Sequence, residues 1–210
     1  MSLAQCIAAA AALAALAGTA PDAAAQAAAK AAPEAAYQLG DRLPASAPAP
    51  ASRPGRKGDF KLTEWDALVP RDWDPMKEFK DLNLGAMRDG DPRATAALER
   101  LKRAFDNAPT QPALNDTRIR IAGFVVPLEA EGGLLREFLL VPYFGACIHS
   151  PPPPANQIIH VSAATPIKGF RAMDPVWVSG TLRTAISDTP MGNSGYRMDV
   201  EVVAPYREGK

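Results

Sequence analysis

The chain has 210 residues, with 23 basic and 23 acidic side chains, so its formal charge at neutral pH is zero. That balance, without a long block of either sign, gives no electrostatic footprint for nucleic acid or for an anionic membrane surface. Apolar residues make up 47% of the chain, enough for one folded domain, but the amino-terminal quarter is too poor in large apolar side chains to build a core of its own.

Residues 1–25 read as an export signal. An alanine-rich apolar run from Ile7 to Ala17 is followed by small residues and an Ala23-x-Ala25 cleavage candidate before Gln26, although no Lys or Arg precedes the run. The run is too short to span a bilayer, and no later segment reaches ~20 apolar residues. The mature chain is therefore expected to be periplasmic and to have no transmembrane helix. Leu3-Ala4-Gln5-Cys6 resembles a lipoprotein box, but Gln5 replaces the small residue and the site precedes the apolar run, which disfavours a lipid anchor at Cys6. Once the leader is removed, Cys147 is the one remaining cysteine. In an oxidising compartment such a thiol is buried, metal-bound or paired with another molecule.

Residues 26–58 are Ala/Pro-rich and predict a disordered tether. Residues 59–115 predict a flap and a helix packed on a carboxy-terminal β-barrel. Thr63 followed by Asp66 suggests a capped turn ending before Pro70, and Trp65, Leu68, Trp73 and Phe79 look like anchors. Asp91-Pro92 with Ala94, Ala97, Leu98, Leu101, Ala104 and Phe105 gives the clearest helical pattern, closed by Pro109. Its basic face of Arg93, Arg100, Lys102 and Arg103 reads as solvated surface.

From residue 116 to 206 the apolar period is two. Ile119 and Ile121 share a face, and Phe124 and Val126 continue on the other phase, which suggests a bulge at Gly123. Short strands are expected at 137–141 and 157–161, then around Val176–Leu182 and Tyr196–Val202. Five strands after a flap and one helix predict a mainly β, α+β chain: a small, curved five-stranded barrel of oligonucleotide/oligosaccharide-binding (OB) type.

The densest chemistry lies between the second and third strands, in Phe144-Gly-Ala-Cys147-Ile-His149-Ser-Pro151-Pro152-Pro153-Pro154-Ala-Asn156-Gln157. Four consecutive prolines fix φ and predict a stiff polyproline II arm. On extended chain, Cys147 and His149 would face one target. A thiolate and an imidazole both ligate zinc and copper, so these two residues are the candidate metal ligands. Asn156 and Gln157 would be hydrogen-bonding groups behind them, and Pro151 to Pro154 the stiffener. The histidine left over, His160, lies too far along the next strand to complete the site, and Asp174 and Asp188 are the loop carboxylates within conceivable reach. A structural role for the pair competes with this, since cysteine is commonly a small buried hydrophobe. A thiol enzyme ranks third: it would need an oxyanion donor, for which Asn156 or the Gly145 amide are the candidates.

The pattern Gly123-Phe-Val-Val-Pro127-Leu-Glu129, with Phe138-Leu-Leu-Val-Pro142-Tyr-Phe-Gly-Ala-Cys147-Ile-His149 and the proline run to Gln157, resembles the bacterial family known as domain of unknown function 3299. The resemblance spans about residues 60 to 205. It implies an exported protein or lipoprotein of Gram-negative bacteria, in some cases accompanying transporter components linked to zinc supply, and no activity comes with it. The expectation from residues and resemblance together is a periplasmic, non-catalytic accessory protein contacting zinc or copper through Cys147 and His149, beside an envelope partner such as a transporter component. The alternative is a partner-binding barrel with a purely structural motif.

Overall fold

The computed structural model describes residues 37–44, 60–77 and 91–207. The regular elements are β1 (Lys61–Leu62), α1 (Pro92–Asp106), β2 (Thr117–Glu131), β3 (Leu134–Val141), β4 (Ile159–Lys168), β5 (Pro175–Thr189) and β6 (Gly192–Pro205). Strands β2-β3-β4-β6-β5 lie side by side, and β5 returns to β2, closing a five-stranded barrel. Neighbours are antiparallel except β4 and β6, which run parallel. The two-residue β1 adds alongside β2, also in parallel. This is the connectivity of the OB barrel, so the expected fold class holds.

Alternation along β2 decides which residues fill the barrel. Ile119, Ile121 and Val125 belong to the interior cluster with Phe138, Leu140, Ile159 and Tyr196. Phe124 and Val126 belong to a second cluster outside the wall, with Leu139 and Val141. Phase is therefore kept through Gly123, which stays paired with Val176. The bulge expected there is displaced: the register irregularities fall between Pro127 and Ala130. Gly123 is required for a different reason, because a Cβ would lie 2.8 Å from both Leu140 Cγ and the Val141 carbonyl oxygen. The apparent slip in the sequence came from apolar residues on both faces, since both faces are covered. Strand limits also shift, with β3 starting at Leu134 and β4 running from Ile159 to Lys168 rather than over 157–161.

The flap is fastened by two of the four anchors the sequence suggests. Trp65 and Leu68 enter the barrel core, and Trp65 Nε1 donates to the Ala122 carbonyl at 2.7 Å. Trp73 is half-buried; Phe79 lies outside the described residues. The expected Thr63 cap is not formed, because the Thr63 hydroxyl donates to the Lys61 carbonyl instead, and the turn Trp65–Leu68 has no side-chain cap. In α1 the Asp91 carboxylate accepts the Arg93 amide at 2.8 Å and Pro92 fills the first turn, as the sequence predicts. The helix rests lightly: Ala97 is buried while Leu98 stays 66% exposed. Among the described residues no helix is long and apolar enough to cross a membrane.

Tyr196 of β6 ties these parts together. Its hydroxyl donates to the Leu68 carbonyl and accepts the Gln111 amide, each at 2.6 Å. Tyr196→Phe leaves both backbone groups short of a partner and should cost about 1–3 kcal/mol. Urea denaturation should show a lowered midpoint with an unchanged slope; an unchanged midpoint would mean that the two bonds contribute nothing.

Candidate functional site

The connection from β3 to β4, residues 142–158, carries Cys147, His149, Pro151 to Pro154, Asn156 and Gln157. It does not leave the barrel as extended chain. The Gly145 carbonyl accepts the amides of Ile148, His149 and Ser150 at 3.3, 2.8 and 3.1 Å, and the Ser150 hydroxyl at 3.3 Å. Winding the chain this tightly requires the left-handed region at Gly145 (φ 85°) and at Cys147 (φ 64°). The expected alternation that would aim Cys147 and His149 together along a strand is replaced by this turn. Cys147 is half-buried against an apolar cluster that includes Ala146, Met173, Phe144 and Met191, whereas His149 is exposed. Burial in those surroundings pushes the Cys147 thiol up to about 11.

The arm beyond the turn is all-trans, and at Pro154 it has φ −55° and ψ 146°, close to polyproline II. Its far end is bolted down. Asn156 is fully buried and donates its side-chain amide to the Pro109 carbonyl at 3.0 Å. Asn156 thereby anchors the arm to the segment after α1. Gln157 faces the groove beside the arm.

A strap that the sequence placed inside the tether covers the turn. Residues 37–44 are ordered on the barrel: the Gly40 amide donates to the Phe144 carbonyl at 3.0 Å, the Phe144 amide donates to the Asp41 carbonyl at 2.9 Å, and Arg42 bridges Tyr143. The Tyr37 ring meets Phe124 edge-on at 5.2 Å and stacks on Phe144 at 6.1 Å. Tyr206 donates its hydroxyl to the Pro44 carbonyl at 2.6 Å. Leu39 lies so close over Gly145 that any Cβ there would sit 2.2 Å from its Cδ1. The signal was present as Tyr37, Leu39 and Leu43 spaced two and four apart, hidden by averaging over Ala and Pro. The rest of the tether and the leader lie outside the described residues.

Strap, helix and arm border an open groove of about 460 Å³, lined by Leu39, Arg42, Phe105, Tyr143, Ser150, Pro151 to Pro154 and Gln157. Polar groups converge at Tyr143. Burial raises its phenol and the nearby Cys147 adds to this, while the hydrogen-bonded Ser150 side chain and Arg42 pull it back down. Arg42 also reaches Asp66, at 3.5 Å. The other candidates point elsewhere. His160 Nε2 lies 3.1 Å from Glu137 Oε2, Asp174 accepts the Arg171 amide at 2.7 Å, and Asp188 pairs with Asn193 across β5 and β6. Among the described residues no three or more His, Cys, Asp or Glu side chains gather as a metal-holding group.

The family model described as "Protein of unknown function (DUF3299)" matches residues 65–205. The chain belongs to that family. A solved structure of a DUF3299 family protein from Pseudomonas aeruginosa PAO1 is similar, with 34% identity and a TM-score of 0.56 over 73% of this chain and 100% of that one. No curated protein matches. The family match begins at Trp65, so the strap lies ahead of the matched DUF3299 region.

The buried thiol sets a reactivity. With its pKa at about 11 against an ordinary 9.0, the thiolate fraction near pH 7.5 falls about 100-fold, and the greater nucleophilicity of the more basic thiolate recovers about tenfold. Alkylation of Cys147 should therefore be about tenfold slower in the folded protein than in urea, its rate rising with pH toward 11. The linked effect on stability has one sign: between pH 9 and 11 the unfolded chain loses this proton first, so the thiol's contribution is intact below 9 and is lost as pH rises through about 11. Equal alkylation rates in the two states would show the sulfur to be in ordinary solvent.

Proposed function

We propose that this DUF3299 protein is a non-catalytic binding module exported to the cell envelope, which engages its ligand through the face made by the strap, the turn and the proline arm. The observation that carries this is the open groove of about 460 Å³ whose sides come from the strap, α1 and the proline arm, all outside the barrel. Its volume falls in the range of small-ligand sites, roughly 300–1,000 Å³. A stiff proline arm favours binding, since it has little conformational freedom to lose when a ligand docks. Three features weigh against chemistry at Cys147: the thiol is held in its neutral form, the Gly145 amide is already donated to Met173 Sδ at 3.0 Å, and the Asn156 amide is committed to Pro109. The leader pattern in residues 1–25 supports the envelope as the address.

An NMR screen of small fragments against the isotope-labelled protein tests the reading. Fragments that bind should shift the amides of Gly40, Ser150 and Gln157 together, and paired Pro151→Ala and Pro152→Ala changes should weaken them by about tenfold. Fragments clustering anywhere else on the barrel, or none binding, would refute it.

A second reading keeps the metal. Cys147 and His149 stand on one hydrogen-bonded turn, and the thiol shares its cluster with the thioethers of Met173 and Met191. Sulfur donors of this kind suit copper(I), with zinc the other candidate, and an envelope partner such as a transporter component would be the natural recipient. Titrating the full chain with Zn²⁺ and Cu⁺ beside Cys147→Ser and His149→Ala should show a loss of at least about tenfold in each variant. Equal affinity in all three proteins would remove the metal.

A further inference from the structure

We propose that the surface beneath the strap is a recognition site for an extended segment of a partner protein with the pattern aromatic-x-aliphatic-Gly-Asp, and that residues 37–44 fill it as a built-in stand-in. This surface lies under the strap, so the inference is independent of any ligand in the groove beside the arm. The strap shows, residue by residue, what the surface accepts. The Tyr37 ring meets Phe124 edge-on and stacks on Phe144, with centroids 5.2 and 6.1 Å apart. Leu39 takes the space left by the missing Cβ of Gly145, and Leu43 packs with Trp177 and Tyr206. Reciprocal backbone bonds at Phe144, with the antiparallel bridge from Arg42 to Tyr143, add the segment to the connection as a short strand is added to a sheet edge.

The shape of the strap is encoded within it. The Asp41 amide donates to the Gln38 carbonyl at 3.0 Å, the Asp41 carboxylate accepts the Gln38 amide at 2.7 Å, and Gly40 turns the chain at φ 92°. A tight turn with glycine in the left-handed region and an acidic side chain closing it takes nothing from the barrel, so a separate chain with the same residues can carry it. The stand-in is also an incomplete cover. None of residues 37–44 is buried, Leu39 is 62% exposed, and no strap residue belongs to the cluster inside the barrel. Beneath Leu43 the Trp177 indole nitrogen is buried without a hydrogen-bond partner, a donor of the kind that native interiors rarely leave unanswered. The chain from residue 45 to residue 60 can reach roughly 50 Å when extended, enough to release the strap without moving β1.

The probe is a synthetic peptide of residues 35–46, titrated by NMR into the full chain and into the full chain carrying Tyr37→Ala and Leu39→Ala, which loosens the strap and leaves every barrel residue in place. A tethered strap competes at an effective concentration of about 1 mM, so the double variant should bind the peptide at least about tenfold tighter than the unaltered chain does. Binding should return the Phe144 and Gly145 amides of the variant to their unaltered positions. A peptide with Gly40→Val cannot adopt the turn and should bind at least about tenfold more weakly. Random displayed peptides selected on the double variant should converge on the aromatic-x-aliphatic-Gly pattern. Hydrogen exchange needs no variant and separates a stand-in from a structural cover: the Gly40 and Phe144 amides should be at least about 100-fold less protected than the most protected amides of the barrel. Equal protection would make the strap part of the cooperative fold and overturn the proposal, as would a double variant that binds no peptide or a selection that yields another pattern. Sedimentation of the unaltered chain at up to about 1 mM should show a monomer. A dimer dissolved by the peptide would assign the surface to a second copy and overturn the partner.

Discussion

Gly145 is the residue on which the outer parts of this protein depend. Its amide is given to Met173 from the loop between β4 and β5, its carbonyl collects three amides of the turn, and its missing Cβ leaves the space that Leu39 of the strap occupies. A backbone at φ 85° under a side chain that close admits no other residue without strain. Three segments distant in sequence are thereby locked at one Cα. The proline arm departs from this turn and is held at its other end by Asn156 on the Pro109 carbonyl.

The burial of Cys147 is a consequence of the same turn. Left-handed backbone at residue 147 leaves the thiol packing with Met173 and Phe144, while His149 stays exposed. Low local polarity keeps the sulfur neutral, and a protonated, half-covered thiol is a poor partner for disulfide exchange. A soft metal ion would reverse this by displacing the proton, so the two readings of Cys147 differ in what occupies the proton's place and not in where the sulfur lies.

How far the sequence reveals this differs by element. The helix could be read to the residue at its start because Asp91 and Pro92 act locally, and local chemistry survives into the fold. The barrel was legible from its alternating strands, but Gly123 misled, since alternation marks a face only where one side of the strand meets water. With Phe124 and Val126 covered as well as Ile121 and Val125, pattern carries no phase. The motif Cys147 to Gln157 was correctly picked out as the unusual stretch, yet its geometry was not legible, because positive φ at a cysteine has no sequence signal. Arg42 and Tyr143 were missed for a further reason: neither is unusual alone, and a pairing across a hundred residues exists only once the strap has docked.

The covering of the barrel wall also bears on where a ligand of the proposed binding module would dock. OB barrels commonly bind ligands on the face of their second and third strands, here β3 and β4. In this protein Leu139 and Val141 of that wall are buried in the cluster with Ala146 and Ile158 of the connecting loop, and His160 is engaged with Glu137. The adjoining face of β2 is sealed by Tyr37 over Phe124. A closed barrel has no free edge to offer in compensation. What this side of the barrel presents to solvent is thus the connections that do the covering, and one of them carries four consecutive prolines.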